Sequence, residues 1–243
     1  MVKNDRNPWA DRSRYLNPYT DYGFRKIFGE EECKELLISF LNSVIFQGGD
    51  PVVELTYQPK APFPERPRGS EALFEARCQR RSGNGFFLLM QNACHPFVKD
   101  RSVRYLSDGI RRLPEPRAPW DVRLQEVCLV AFMNYAFPDE GGPSDCIHEI
   151  RLMEGSRGRV FYEKLKLVYL EMPRFEKRLS ELWTMRDKWL YVLKNLPYLA
   201  EPPKALRGPI FERLFERADL TRLNPEELRA YHQSLMAFLY FHP

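Results

Sequence analysis

The chain has 243 residues, enough to bury a sizeable single core, and its 44% hydrophobic and 29% charged residues are the balance of a soluble protein. Its formal charge of +4 permits an anionic partner without requiring one, no apolar run approaches the ~20 residues of a membrane helix, and the N-terminus lacks the apolar core of a signal peptide. Cys33, Cys78, Cys94, Cys128 and Cys146 are scattered and form no C-x-x-C pair, so they suggest neither a zinc site nor a disulfide framework and suit reduced thiols in the cytoplasm.

In chain order, residues 1–14 are polar and contain Pro8, as expected of a flexible tail. Thr20 or Asp21 then caps a short helix carrying Phe24, Ile27 and Phe28 on one side. From Glu31 to Val44, Cys33, Leu36, Leu37, Phe40, Leu41 and Val44 recur at helical spacing. A Gly-Gly break leads to a β-branched strand over Val52–Tyr57, and the proline-rich run from Lys60 to Gly69 reads as a loop.

The stretch from Glu71 to Gln91 is the centre of the chain. On its first arm Phe74, Ala76 and Cys78 share one face, while Leu73, Glu75, Arg77 and Gln79 share the other. This period of two, closed by a turn at Ser82-Gly-Asn-Gly85, predicts a half-buried β-hairpin. The second arm, Phe86 to Gln91, is almost wholly apolar, as a strand covered on both faces would be. Gln91 ends it, either as a site residue or as a strand-end glutamine facing water.

Pro96 to Leu113 reads as a helix with Phe97, Val103, Tyr105, Leu106, Ile110 and Leu113 mostly inward. It carries the densest basic cluster of the chain, Lys99, Arg101, Arg104, Arg111 and Arg112, which suits either phosphate contacts or a solvated face. Val127–Met133, Ile147–Leu152 and Lys166–Met172 read as further strands, and Leu182–Leu193, Pro209–Ala218 and Pro225–Tyr240 as helices. Strands separated by helices imply an α/β (α+β) fold, a central mixed sheet flanked by helical layers. The four histidines sit in no metal or triad spacing.

Several of these runs together resemble the PD-(D/E)XK nuclease superfamily, within it the recombination-promoting nuclease and putative transposase group. The matching residues are Asn17-Pro-Tyr-Thr-Asp21-x-Gly23-Phe-Arg-Lys-Ile-Phe28, then Phe74-Glu75-Ala76-Arg77-Cys78, Leu89-Met90-Gln91, Phe97-Val98-Lys99-Asp100-Arg101 with Tyr105, Asp187–Lys194, and Glu227…Tyr231…Ser234-Leu235. The resemblance implies a restriction-endonuclease-like core over 15–196, a helical C-terminal extension over 197–243 packed on it, and DNA as partner, with a homo-oligomer compatible. It also implies a magnesium-dependent endonuclease ancestry, with Asp21, Glu75 and Gln91 as the catalytic set and Glu75 as a metal ligand.

Two carboxylates of the family pattern are replaced: its Asp is Glu75 here, and its Glu is Leu89. The extra methylene of Glu75 moves its oxygens by more than ~1 Å, and errors of that size can cost ~100-fold in rate. Leu89 offers no oxygen at all. Three readings follow. The chain is a nuclease-like fold that has lost metal catalysis and retains at most DNA binding; or it is a working magnesium nuclease in which Glu71, Asp100 or Asp21 supplies the missing ligand; or it is a protein-interaction module whose aromatics, Trp183, Trp189 and Tyr198, serve packing alone.

Overall fold

The computed structural model describes residues 13–58, 73–93, 97–113, 123–138 and 146–241. Glu71, the proline-rich run after Lys60 and nearly all of the N-terminal stretch 1–14 lie outside the described residues. Six strands form one mixed sheet: β1 (Val52–Tyr57), β2 (Leu73–Arg80), β3 (Gly85–Ala93), β4 (Glu126–Met133), β5 (Ile147–Glu154) and β6 (Arg159–Glu171), in the order β1-β2-β3-β4-β6-β5. The β1/β2, β2/β3 and β5/β6 pairs are antiparallel; β3/β4 and β4/β6 are parallel. The hairpin turn lies where the sequence puts it, with Gly83 at φ 89°, a conformation that favours glycine.

Period-two alternation on β2 and β3 sorts the side chains onto two unequal layers. Phe74, Ala76, Cys78, Phe86, Leu88 and Met90 join Cys128, Val130, Phe132, Val168 and Leu170 in the larger core. Its other side is made by α1 (Asp21–Phe28), α2 (Lys34–Phe40), α4 (Met185–Asn195) and α5 (Pro209–Ala218). Trp189 is fully buried among Phe28, Phe40 and Phe211, and it donates its indole N–H to Ser39 Oγ at 3.1 Å. On the opposite face Phe87, Leu89, Val127, Leu129, Ala131 and Tyr169 meet Val98 and Leu106 of a single helix, α3 (Val98–Arg111).

The ends of the chain interlock. Asn17 N–H donates to the Tyr231 hydroxyl at 3.1 Å, Tyr22 N–H to Ser234 Oγ at 3.0 Å, and Lys26 pairs with Glu227 at 2.6 Å. Tyr231, Ser234 and Glu227 belong to α6 (Pro225–Phe241). Thr20 caps α1 by accepting from Gly23 N–H at 3.0 Å and donates to the Asn17 carbonyl at 2.7 Å. A Cβ at position 23 would stand 2.1 Å from that carbonyl, so glycine is demanded there by the tightness of the turn. The Asn17–Gly23 and Glu227–Ser234 motifs are therefore two halves of one structural clasp.

Two elements differ from their sequence expectation. The run expected as one helix over 31–44 is a 3-10 turn (Glu31–Cys33), then α2, then a π turn (Leu41–Ile45). There the Asn42 amide pairs with both backbone groups of Val52, at 2.9 and 2.8 Å, and ties the helix end to β1. Strand β6 begins at Arg159, seven residues before the expected Lys166. Its register with β4 starts at Leu165, so among the described residues the first half pairs with β5 alone. A two-stranded ribbon has no covering layer to impose an apolar alternation, and its charged residues hide it from pattern reading.

Candidate active site

Glu75 on β2 and Leu89 on β3 are direct cross-strand partners. Gln91 lies two residues further along β3 on the same face, the one covered by α3. The helix crosses β3 at Gly109: a Cβ there would stand 3.0 Å from Leu89 Cδ1 and 3.5 Å from Phe87 Cε1. Leu89 thus occupies the gap left by a glycine and is part of a dry contact. Just past the end of α3, Arg112 donates from Nη1 to Glu75 Oε1 and forms an ion pair with it. The Glu75 side chain is 9% exposed and that of Arg112 28%, so the carboxylate is neutralised by a guanidinium from the protein itself.

Gln91 is fully buried, not a water-facing strand end. Its Oε1 accepts from Ser102 Oγ at 3.4 Å, and Ser102 in turn bonds the hydroxyl of Tyr169 on β6. Burial raises the pKa of that phenol, while the Ser102 bond and the nearby Lys99 charge pull it the other way. Sequence reasoning missed Ser102 and Tyr169. The available signal was a polar residue on the buried stripe of α3, where Val98, Ser102, Leu106 and Gly109 recur at three- and four-residue spacing.

Asp21 opens α1 in the other layer, whose Phe24 packs on Phe74 and Phe132. The two layers meet at the end of β3, where Asn92 Nδ2 donates to the Tyr19 carbonyl at 2.7 Å. Asp100 is exposed in the first turn of α3, pointing away from the sheet by helical phase. Among the described residues no three His, Cys, Asp or Glu side chains come together to hold a metal ion. A guanidinium on Glu75 and a packed leucine at 89 do not fit a divalent cation, which takes several oxygen ligands.

The basic cluster is divided rather than a single stripe. At ~100° per residue, Arg104 and Arg111 share the outward face of α3, Arg101 lies on one flank and Lys99 on the other. Lys99 sits 4.3 Å from the centroid of the Phe137 ring, and Arg112 is engaged with Glu75. Arg104 and Arg111 are exposed, as are Phe97 and Val103 of the same segment. A cleft of about 690 Å³ lined by Arg174, Lys177, Arg178, Thr184, Arg186 and Asp187 shares no residue with this site. Two of its cations have local partners, Lys177 in Asp187 at 2.7 Å and Arg186 in Gln47 at 3.3 Å.

Two further buried acids, Glu171 and Asp219, escaped the sequence reading. Glu171, at the end of β6, accepts from Phe137 N–H at 3.1 Å and pairs with Arg174, with His148 Nε2 3.5 Å away. Its compensation is complete enough to make it a structural anchor of the strand end.

Searches of curated proteins and of solved structures matched nothing. The family model described as PD-(D/E)XK nuclease family transposase matches residues 18–239 of the 243. Proteins of this superfamily generally use divalent metals, and the six-stranded mixed sheet between helical layers is the α/β restriction-endonuclease-like architecture. No helix among the described residues is long and apolar enough to cross a membrane. From the Asn17 clasp at one end to α6 at the other, the chain belongs to the PD-(D/E)XK nuclease transposase family.

Proposed function

We propose that this chain is a nuclease-fold protein that has given up metal-dependent hydrolysis and works by binding DNA. The observation that carries this reading is the Glu75–Arg112 pair beside Leu89 packed against Gly109. In a metal-dependent site, carboxylates converge and the ion offsets their repulsion. Here one carboxylate is gone, the other is balanced by an arginine, and Gln91 bonds a serine where the family pattern would have it serve a metal-bound water. DNA as ligand draws its support from the family and from the exposed Arg104 and Arg111 on the outer face of α3. Arg101 and Lys99 flank that face, and the helical segment from 197 onward is taken as an extension packed on the nuclease-like core.

The test is a plasmid-nicking assay with magnesium and manganese on three proteins: the natural chain, Glu75→Asp/Leu89→Glu, and that pair combined with Arg112→Ala. No metal-stimulated nicking is expected from the natural chain, and a metal-dependent rise in melting temperature is expected only where Arg112 has been removed. Robust metal-dependent nicking by the natural chain overturns the proposal. In parallel, DNA affinity should fall steeply with salt, and Arg104→Glu/Arg111→Glu should weaken it for all sequences alike and flatten the salt slope. Absence of DNA binding at low salt would favour the interaction-module reading.

A further inference from the structure

Phe97 stands at the N-terminal end of α3 with 68% of its surface exposed. Arg101 N–H donates to its carbonyl at 3.1 Å, so the helical repeat already holds at this residue. At ~100° and ~1.5 Å per residue, Phe97, Arg104 and Arg111 lie within about 20° of one line and roughly 10.5 Å apart. That line runs along the side of α3 opposite to Val98, Ser102, Leu106 and Gly109, which are buried against the sheet. These inward residues anchor the helix, and Phe97 takes part in neither core cluster.

A surface that held duplex DNA by charge alone would have no use for this ring. Guanidiniums meet phosphates, and in a duplex the face of each base is closed off by its neighbours in the stack. An unpaired base offers its face. An aromatic side chain at the head of a row of arginines then matches both halves of a nucleotide, the ring taking the base and the guanidiniums the phosphates. The charge on this side of the helix suits a polyanion, since Arg101, Arg104 and Arg111 outnumber Asp100 and Asp108.

We propose that this face holds DNA through an unpaired segment, with one base stacked on Phe97 and the following phosphates running along α3 toward Arg104 and Arg111. The proposal rests on the DNA-binding reading and adds to it the form of DNA that is held.

The test is fluorescence anisotropy at fixed salt with three labelled DNAs: oligo-dT, a blunt duplex, and the same duplex carrying a single-stranded overhang. The natural chain should bind the overhang duplex at least ~10-fold more tightly than the blunt one. Phe97→Ala should lose ~5- to 100-fold on oligo-dT and on the overhang, the effect of one stacked base, and stay within ~2-fold on the blunt duplex. Phe97→Trp should keep the preference, and the fluorescence it adds over the natural chain should be quenched by oligo-dT and not by the blunt duplex. Arg111→Glu should weaken binding of all three, because phosphates are common to them. Since Phe97 is exposed, its substitutions should leave the melting temperature unchanged. Equal affinity for the three DNAs, or a Phe97→Ala protein that still prefers the overhang, overturns the proposal and leaves DNA binding standing. Failure to bind any of the three at low salt removes the DNA-binding reading itself, and the proposal with it.

Discussion

The two faces of the sheet are built on different terms. One is covered by α1, α2, α4 and α5, with stacked and tilted aromatic contacts among Tyr19, Phe24, Phe28, Phe40, Phe132, Trp189 and Phe211. The other is covered mainly by α3 and holds the polar groups: Glu75 with Arg112, and Gln91 with Ser102. The Asn17–Gly23 and Glu227–Ser234 segments close on the first face, where they act as clasp and cap. Glu75, Leu89 and Gln91 open onto the second. A thick apolar layer that fixes the fold leaves the thin layer free to exchange its chemistry, since changing a few side chains under one helix leaves the large core intact.

The comparison breaks first if the thick layer is not the one that holds the fold. Phe132, stacked on Tyr19 at 5.0 Å and on Phe24 at 6.0 Å between ring centroids, should cost ~3–5 kcal/mol when cut to alanine. Leu89→Ala on the thin face should cost about 2–3 kcal/mol, because α3 can settle into the space. Urea unfolding of the two variants ranks the layers. Gly109→Ala added to Leu89→Ala should recover about 1 kcal/mol, since alanine both favours the helix and fills the hole that leucine leaves. If Leu89→Ala costs more than Phe132→Ala, the order of the two faces is reversed.

A finer test isolates the ion pair of the thin face. Glu75→Gln should cost about 1–2 kcal/mol, as a charged hydrogen bond becomes a neutral one. Glu75→Gln and Arg112→Gln together should cost less than the sum of the two, because removing either partner leaves the other without its charge. Strict additivity in that cycle would mean that Arg112 and Glu75 do not depend on each other, and the basis for a metal-free site would be lost.

The smallest expected effect is acid sensitivity, and it belongs to the thick side. Burial alone would raise the Asp187 carboxyl, but bonds from Lys177 and Thr184 outweigh it and hold the pKa below the usual 3.8. Asp219 is likewise lowered, its burial outweighed by bonds from Thr221 and Arg14. A carboxylate whose folded pKa is depressed contributes stability that is fully present above its unfolded pKa and fades as pH falls through the folded one. Melting temperature should therefore hold down to about pH 4 and decline below it. Asp187→Asn should flatten that decline, and an unchanged acid limb in Asp187→Asn would remove this pair from the account.

Much of the fold was legible in residues. The alternation of Phe74, Ala76 and Cys78 against Glu75 and Arg77, with the Gly-Asn-Gly turn, fixes a hairpin, because a period of two has one structural meaning when one face is apolar. The unbroken apolar run before Gln91 marks a strand covered on both sides. The β5–β6 ribbon was less legible, because two strands that no described element covers need no apolar pattern.

At the site, sequence alone determined by strand parity that Leu89 and Gln91 share a face. Only the tertiary structure decided what those side chains and Glu75 meet. Arg112, 37 residues from Glu75 in the chain, read as one more member of a basic helix until the end of α3 brought it to that carboxylate. Ser102 and Gly109 gained meaning from the strand they lie against. Local patterns set by backbone periodicity can be read along the chain. A contact between side chains far apart in sequence depends on how helix and sheet cross, and that crossing is fixed by packing, to which no single segment holds the key.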